Sequence, residues 1–216
     1  MTDSSLRQDI LDELDFEPRV NATHIGVAVN NGVVTLSGHV GSYAEKVAAE
    51  TAVKRVKGVR AIAEEIEVRY PFDKKTADDE IAGRAANILR WNSAVPADSI
   101  QVKVQDGWIA LSGTVDWDFQ RKAAESEVRK LSGVAGVINE ITIKPRVAPT
   151  DIQRKIESAL LRNAEVEAQN IKVSVLDYGH VSLKGRVHGW QEREMVKNAA
   201  WSVPGVVAVE DFLSIG

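Results

Sequence analysis

The chain has no cysteine, and no apolar run approaches the ~20 residues a helix needs to cross a bilayer. The first absence removes disulfides, thiolate nucleophiles, cysteine-based zinc sites and iron–sulfur clusters. Aromatic residues are scarce, at 6%. A surplus of one charge is missing too. The net charge is −4, with −4 in residues 1–73, +1 in 74–148 and −1 in 149–216. No segment carries the basic footprint of a nucleic-acid binder, so no nucleic-acid partner is expected. The N-terminus, Met-Thr-Asp-Ser-Ser-Leu-Arg-Gln-Asp-Ile, is polar and acidic and lacks the basic start and apolar stretch of a secretory signal. Cytoplasm is therefore the expected location.

What is present is a repeat. Val20, Ala22, Ile25, Val27 and Val29 return as Val95, Ala97, Ile100, Val102 and Val104, then as Val166, Ala168, Ile171, Val173 and Val175. Three sets of glycines keep the same register: Gly32, Gly107, Gly179; Gly38, Gly113, Gly185; and Gly58, Gly133, Gly205. The steps of 75 and 72 residues exceed solenoid periods, so each unit is expected to own a core. The boundaries read as 1–73, 74–148 and 149–216. At 44% hydrophobic and 27% charged residues, the composition suits such cores.

Periodicity gives the elements. Apolar rows at i, i+4, i+8 (Leu6, Ile10, Leu14; Ile81, Ala85, Leu89; Ile152, Ile156, Leu160) predict a first helix in each unit, with Ser4, Asp79 and Thr150 as candidate N-caps. Alternating strands follow, joined by hairpins at Asn31-Gly32 and Asp106-Gly107, dipeptides that supply the positive φ such turns need. Leu176-Asp177-Tyr178-Gly179 is one residue longer and predicts a wider loop. Return strands place Val34, Leu36, Val40; Ile109, Leu111, Val115; and Val181, Leu183, Val187 on one face. Their central glycines predict a bend or a close backbone approach.

A second helix is apolar at Ala49, Val53, Val56; Ala124, Val128, Leu131; and Val196, Ala200, Val203, with Gly58, Gly133 and Gly205 expected at its C′ position. Last strands carry Ile62, Ile66, Val68; Val137, Ile141, Ile143; and Val209, Leu213, Ile215. The fold class is thus α+β: three repeats of helix–strand–strand–helix–strand, each a small mixed three-stranded sheet covered on one face by two helices. The linkers around Tyr70-Pro71-Phe72 and Lys144-Pro145-Arg146 are short, and their apolar residues predict modules that pack on one another.

These residues resemble the BON domain family, named for bacterial osmotic-shock and nodulation proteins. The likeness rests on Ile-x-Val-x-Val, on Gly32 to Val40 and on Gly133 to Ile141, and it spans nearly the whole chain three times. It implies this same helix–strand–strand–helix–strand sandwich, no catalysis, and roles in envelope or osmotic stress. Ligands implied by the resemblance are phospholipid surfaces and, for a cytoplasmic member, potassium. Members of the family often carry a leader that this sequence lacks, which bears against a periplasmic role.

The copies act as internal controls on candidate sites. Ser37-Gly38-His39 becomes Ser112-Gly113-Thr114 and Lys184-Gly185-Arg186, so it reads as exposed strand rather than as a nucleophile turn. His24, His39, His180 and His188 fall at four different repeat positions, and none has the spacing of a helical metal pair. No metal or other cofactor is expected, potassium apart. Gly133-Val134-Ala135-Gly136 matches the GxxG of KH domains but reads as a helix end. The remaining cluster is the start of the second helix: Tyr43 with Lys46, Trp117 and Phe119 with Arg121, Trp190 with Arg193. Aromatic and basic side chains at one edge suit a membrane surface or a protein partner, and they equally suit packing on the sheet edge or between modules. The expected function is non-catalytic binding or scaffolding in the osmotic or envelope stress response, with a potassium sensor as the alternative.

Overall fold

The computed structural model describes residues 2–70, 76–96, 99–144, 152–163, 166 and 168–216. In the first module, helix α1 (Asp3–Phe16) leads through a short 3-10 turn to strands β1 (Ile25–Asn30) and β2 (Val33–Val40), helix α2 (Tyr43–Arg55) and strand β3 (Ala61–Val68). The second repeats this as α3 (Asp78–Trp91), β4 (Ile100–Gln105), β5 (Trp108–Val115), α4 (Asp118–Val128) and β6 (Gly136–Ile143). The third is α5 (Ile152–Leu161), β7 (Ile171–Val175), β8 (His180–Val187), α6 (Trp190–Trp201) and β9 (Ala208–Ile215). Each sheet has three strands with the return strand in the centre: β1-β2-β3, β4-β5-β6 and β7-β8-β9. The hairpin strands are antiparallel, and β3 and β9 run parallel to β2 and β8.

The apolar rows face the cores. Leu6, Ile10, Leu14 and their counterparts in α3 and α5 are all buried, as are the three inward residues of every central strand. The second helices bury Ala49 and Val53, Ala124 and Val128, and Val196 and Ala200.

The hairpins also form as expected. Asn31 and Gly32 have φ of 50° and 77°, Asp106 and Gly107 of 51° and 77°. The third turn is wider, with Tyr178 at φ 58° and the Leu176 N–H donating to the His180 carbonyl at 2.7 Å.

Helix ends differ from expectation. Ser4 and Asp79 lie inside the first turn. The cap of α1 is Thr2, which accepts from the Ser5 N–H at 3.2 Å while the Ser5 hydroxyl accepts from the Thr2 N–H at 3.1 Å. At α3 the capping position is Ala77, with no side-chain bond. Asp3 and Asp78, the first helical residues, serve the neighbouring hairpin instead. The Asp3 carboxylate accepts from Asn31 N at 2.7 Å and Gly32 N at 3.2 Å; Asp78 accepts from Asp106 N at 2.7 Å and Gly107 N at 2.9 Å. A carboxylate at a helix start, favoured there by the dipole, also ties the hairpin turn to the helix.

The glycines expected at C′ also move. Helix α2 ends at Arg55 with Val56 as its extended C-cap, so Gly58 lies a residue beyond C′. The reason is that the next residue is wanted in the core: Val59, Val134 and Val206 are buried, deeper than the half-buried Val56 and Leu131. Thr150, Ala97, Pro71, Phe72, Pro145 and Arg146 lie outside the described residues.

Two compact units emerge. Residues 1–115 with 119–142 form one, containing the first two modules; residues 116–118 with 143–216 form the other. Within the first unit the Tyr70 hydroxyl donates to the Val134 carbonyl, joining module 1 to module 2.

Candidate functional site

The start of the second helix follows one internal logic in modules 1 and 3. Ser42 caps α2, its Oγ accepting from Glu45 N at 3.2 Å. Glu45 reaches back to Gly41 N at 2.9 Å and across to Asn21 N at 2.8 Å. In module 3 the buried Glu192 repeats this, accepting from His188 N at 2.7 Å.

The basic residue of the first turn faces the last strand. Lys46 donates to the Ile66 carbonyl at 2.5 Å and stands 4.0 Å from Glu64. Glu64 Oε1 accepts from Ile66 N at 3.0 Å. Burial pushes the Glu64 carboxyl above its ordinary range, with Lys46 pulling the other way. Its Oε2 is buried with no hydrogen-bond partner among the described residues.

In module 3, Asp211 accepts from Leu213 N at 3.1 Å and from Arg193 Nε at 2.8 Å, and the Arg193 guanidinium lies 5.2 Å from the Trp190 ring centre. Module 2 substitutes an amide: Asn139 accepts from Ile141 N at 3.2 Å and donates to the Arg121 carbonyl at 3.2 Å and to Glu125 at 2.9 Å. The backbone groups at Ile66, Ile141 and Leu213 point away from the central strand. The side chains that meet them cover a sheet edge otherwise open to strand addition.

Of the residues singled out from sequence, Lys46 and Arg193 thus spend their charge inside their own modules. Tyr43 is half-buried, with the Val137 backbone of module 2 at its hydroxyl; burial raises its pKa. Trp117 and Trp190 are half-buried, and Trp117 clusters with the second compact unit. Arg121 meets Asn139 through its carbonyl. Phe119 alone of the seven is a largely exposed apolar side chain, at 58%.

Two features escaped the sequence reading. His24 and His39 stack, with ring centres 4.6 Å apart and planes 13° apart, because the chain approaches closely at Gly38. Among the described residues no group of three or more His, Asp or Glu side chains is placed to hold a metal.

The second is a groove of about 530 Å³ between α5 and α6, rimmed by Arg154, Lys155 and Arg162 over a floor including Ala159, Val203 and Pro204. In register, α1 has Gln8, Asp9, Glu13 and Phe16 at the positions of Arg154, Lys155, Ala159 and Arg162, and α3 has Gly83, Arg84, Ile88 and Trp91. Comparing helix faces across copies, rather than summing charge by module, was the signal.

A model of the BON domain matches residues 2–70, 77–145 and 149–216. The chain belongs to the BON domain family. Among BON-related proteins, the osmotically-inducible protein Y of Escherichia coli K12 is 31% identical over 153 residues, 67% of this chain and 74% of that one. An uncharacterized protein from the gshII 5′ region of Anaplasma centrale is 28% identical over 124 residues, 54% of this chain and 82% of that one. CdsD, a structural protein of the type III secretion system of Chlamydia trachomatis, aligns over 98% of this chain and 92% of its own at 16% identity and a TM-score of 0.27. So loose a superposition carries no argument.

Proposed function

We propose that this BON-domain protein is a non-catalytic binding protein of the osmotic-stress response that docks on anionic phospholipid surfaces through the groove between α5 and α6. The stress assignment is supported by the relative whose name records osmotic induction. The lipid assignment rests on one observation. Module 3 gathers Arg154, Lys155 and Arg162, all exposed, around an apolar-floored groove, and the exposed Leu161 stands beside them. Basic residues near an anionic bilayer contribute about 1 kcal/mol each, so three give a binding that is reversible and salt-sensitive. A basic rim over an apolar floor suits an anionic headgroup layer.

Liposome flotation tests this. The chain floats with phosphatidylglycerol-containing vesicles, stays down with phosphatidylcholine alone, and is released as salt rises. The variant carrying Arg154→Glu, Lys155→Glu and Arg162→Glu stays down in both. Undiminished flotation of that variant refutes the site; failure of the parent chain to float refutes the lipid reading. A melting temperature that rises in KCl over NaCl, with no flotation, turns the reading to potassium.

A further inference from the structure

The first strand of each module has one edge free of the sheet, and module 1 shows how that edge is closed. With Asn30 and Val33 pairing across the two-residue turn, Ile25, Val27 and Val29 turn their N–H and C=O outward. Arg7 of α1 lies along this edge, and its Nε donates to the Val27 carbonyl at 2.9 Å. Ile25 and Val27 are buried, each 7% exposed.

Module 2 lacks the cover. Ala82 and Ala86 stand where α1 has Arg7 and Leu11. A groove of about 390 Å³ opens between α3 and β4, lined by those two alanines with Leu89, Val95, Ile100 and Val102. Ile100 and Val102 become half-buried, whereas their counterparts Ile171 and Val173 in module 3 are buried like those of module 1. At four other edge positions a side chain meets the strand: Lys46 and Glu64 at Ile66, Asn139 at Ile141, Asp211 at Leu213, Arg7 at Val27. Alanine has no donor to offer the Val102 carbonyl.

We infer that the α3–β4 groove of module 2 receives an extended peptide segment of a partner protein, added as a strand to the free edge of β4. The occupant's chemistry follows from what the groove presents. Outward backbone groups at Ile100, Val102 and Val104 match the ladder of one incoming strand of about six residues, the length of β4. Its inward side chains, small and apolar, fill the space above Ala82 and Ala86. Its outward side chains lie beside Gln101, Lys103 and Gln105, where an opposite charge at Lys103 is favoured, and Arg90 stands at the groove rim. The segment therefore alternates apolar and acidic residues. Arg7 in module 1 is a built-in stand-in for it, with a donor on the edge carbonyl. This inference lies outside the lipid reading and stands without it.

The test pans the full chain against a displayed library of random dodecapeptides and titrates the enriched peptides by fluorescence anisotropy. Alternating apolar–acidic peptides are expected. Ala82→Arg, which installs the plug of module 1, weakens them at least tenfold without changing the far-UV spectrum. Ala86→Leu, the matching residue of α1, does the same if Ala82→Arg disturbs folding. Arg7→Ala combined with Leu11→Ala opens the equivalent edge in module 1 and raises the stoichiometry from one to two. Peptides indifferent to both plugs, or no enrichment at all, overturn the inference. Self-association of the parent chain that Ala82→Arg abolishes overturns it as well, since the occupant is then a second copy.

Discussion

Gly113 offers the sharpest test of how the fold is held. It sits in the middle of β5 at φ +136°, and a Cβ built there falls 2.1 Å from the Ser99 carbonyl oxygen and 3.2 Å from Ile100 Cα. Two costs follow from Gly113→Ala. A left-half backbone conformation that only glycine adopts readily costs an L-residue about 1–3 kcal/mol. The overlap with a backbone oxygen, which no side-chain rotation relieves, forces β4 and β5 apart and weakens at least one ladder bond, for about 1 kcal/mol more. A loss of about 2–4 kcal/mol is large beside the ~4–10 kcal/mol expected of a module this size. It lowers the melting temperature by ~10 °C or more.

Gly83 in α3 is the control, since a Cβ there meets nothing within 4 Å. Gly83→Ala gains up to ~1 kcal/mol from helix propensity. Urea unfolding of both variants, followed by hydrogen exchange of β4 and β5 amides, reads the difference. Equal stabilities for the two refute the reasoning, as does a loss at Gly113 below ~1 kcal/mol.

Four further outcomes are expected. Asp78→Ala releases the Asp106 and Gly107 N–H groups and costs about 1–2 kcal/mol in urea melts, whereas Asp79→Ala is near neutral. Glu64→Gln stabilises the protein at neutral pH: burial raises the folded pKa, so the favourable proton-bound state is complete below the unfolded value of 4.5 and lost as pH rises through the folded one. That gain fades in melts at pH 3.5, where both states are protonated. Glu17, held by Arg19 and then Arg55, titrates at about 2 by NMR, so its contribution is present above 4.5 and lost only as pH falls through about 2. Tyr70→Phe removes the bond to the Val134 carbonyl, and native-state hydrogen exchange then shows module 1 opening separately from module 2.

The elements were legible because their signals are local and tripled. A single apolar row such as Ile81, Ala85, Leu89 is ambiguous, but its return at two other places in one register leaves few alternatives. The hairpin turns were legible because Asn-Gly and Asp-Gly carry their own dihedral preference. Helix ends were not: Asp3 and Asp78 look like ordinary N-terminal acids until the hairpin that they hold is folded against them. The site was legible in part. Lys46 and Arg193 were visible as recurring basic residues. Their partners Glu64 and Asp211 break the apolar alternation of the last strand, 18 residues away, and only the sheet brings them beneath the helix. The signal was present as a misplaced acid at an inward position.

Repetition also separates what the fold requires from what each copy does with it. A residue that serves the backbone recurs, as do the return-strand glycines and the Gly–Val pair after the second helix. A residue free to specialise diverges at a fixed position. The exposed face of the first helix diverges in this way. At the Arg7 position module 1 has a guard, module 2 has Ala82, and module 3 has Gln153, whose amide is turned to Glu157 at 2.9 Å. One turn on, Asp12, Asn87 and Ser158 grade from acidic to neutral, while Phe16, Trp91 and Arg162 change from aromatic to basic. None of these changes touches the buried rows at Ile10, Ala85 or Ile156, so none is demanded by packing. With the cores held constant, selection on this one face is the economical account of an acidic helix in module 1, an open edge in module 2 and a basic groove in module 3. Exchange of α5 surface residues for those of α1 therefore moves ligand preference without moving stability. Substitution of Gln8, Asp9 and Phe16 by the Arg, Lys and Arg of module 3 gives module 1 a basic rim of its own. Flotation of that variant with phosphatidylglycerol vesicles, in a background carrying the three charge reversals in module 3, is the direct measure of whether the face alone confers binding.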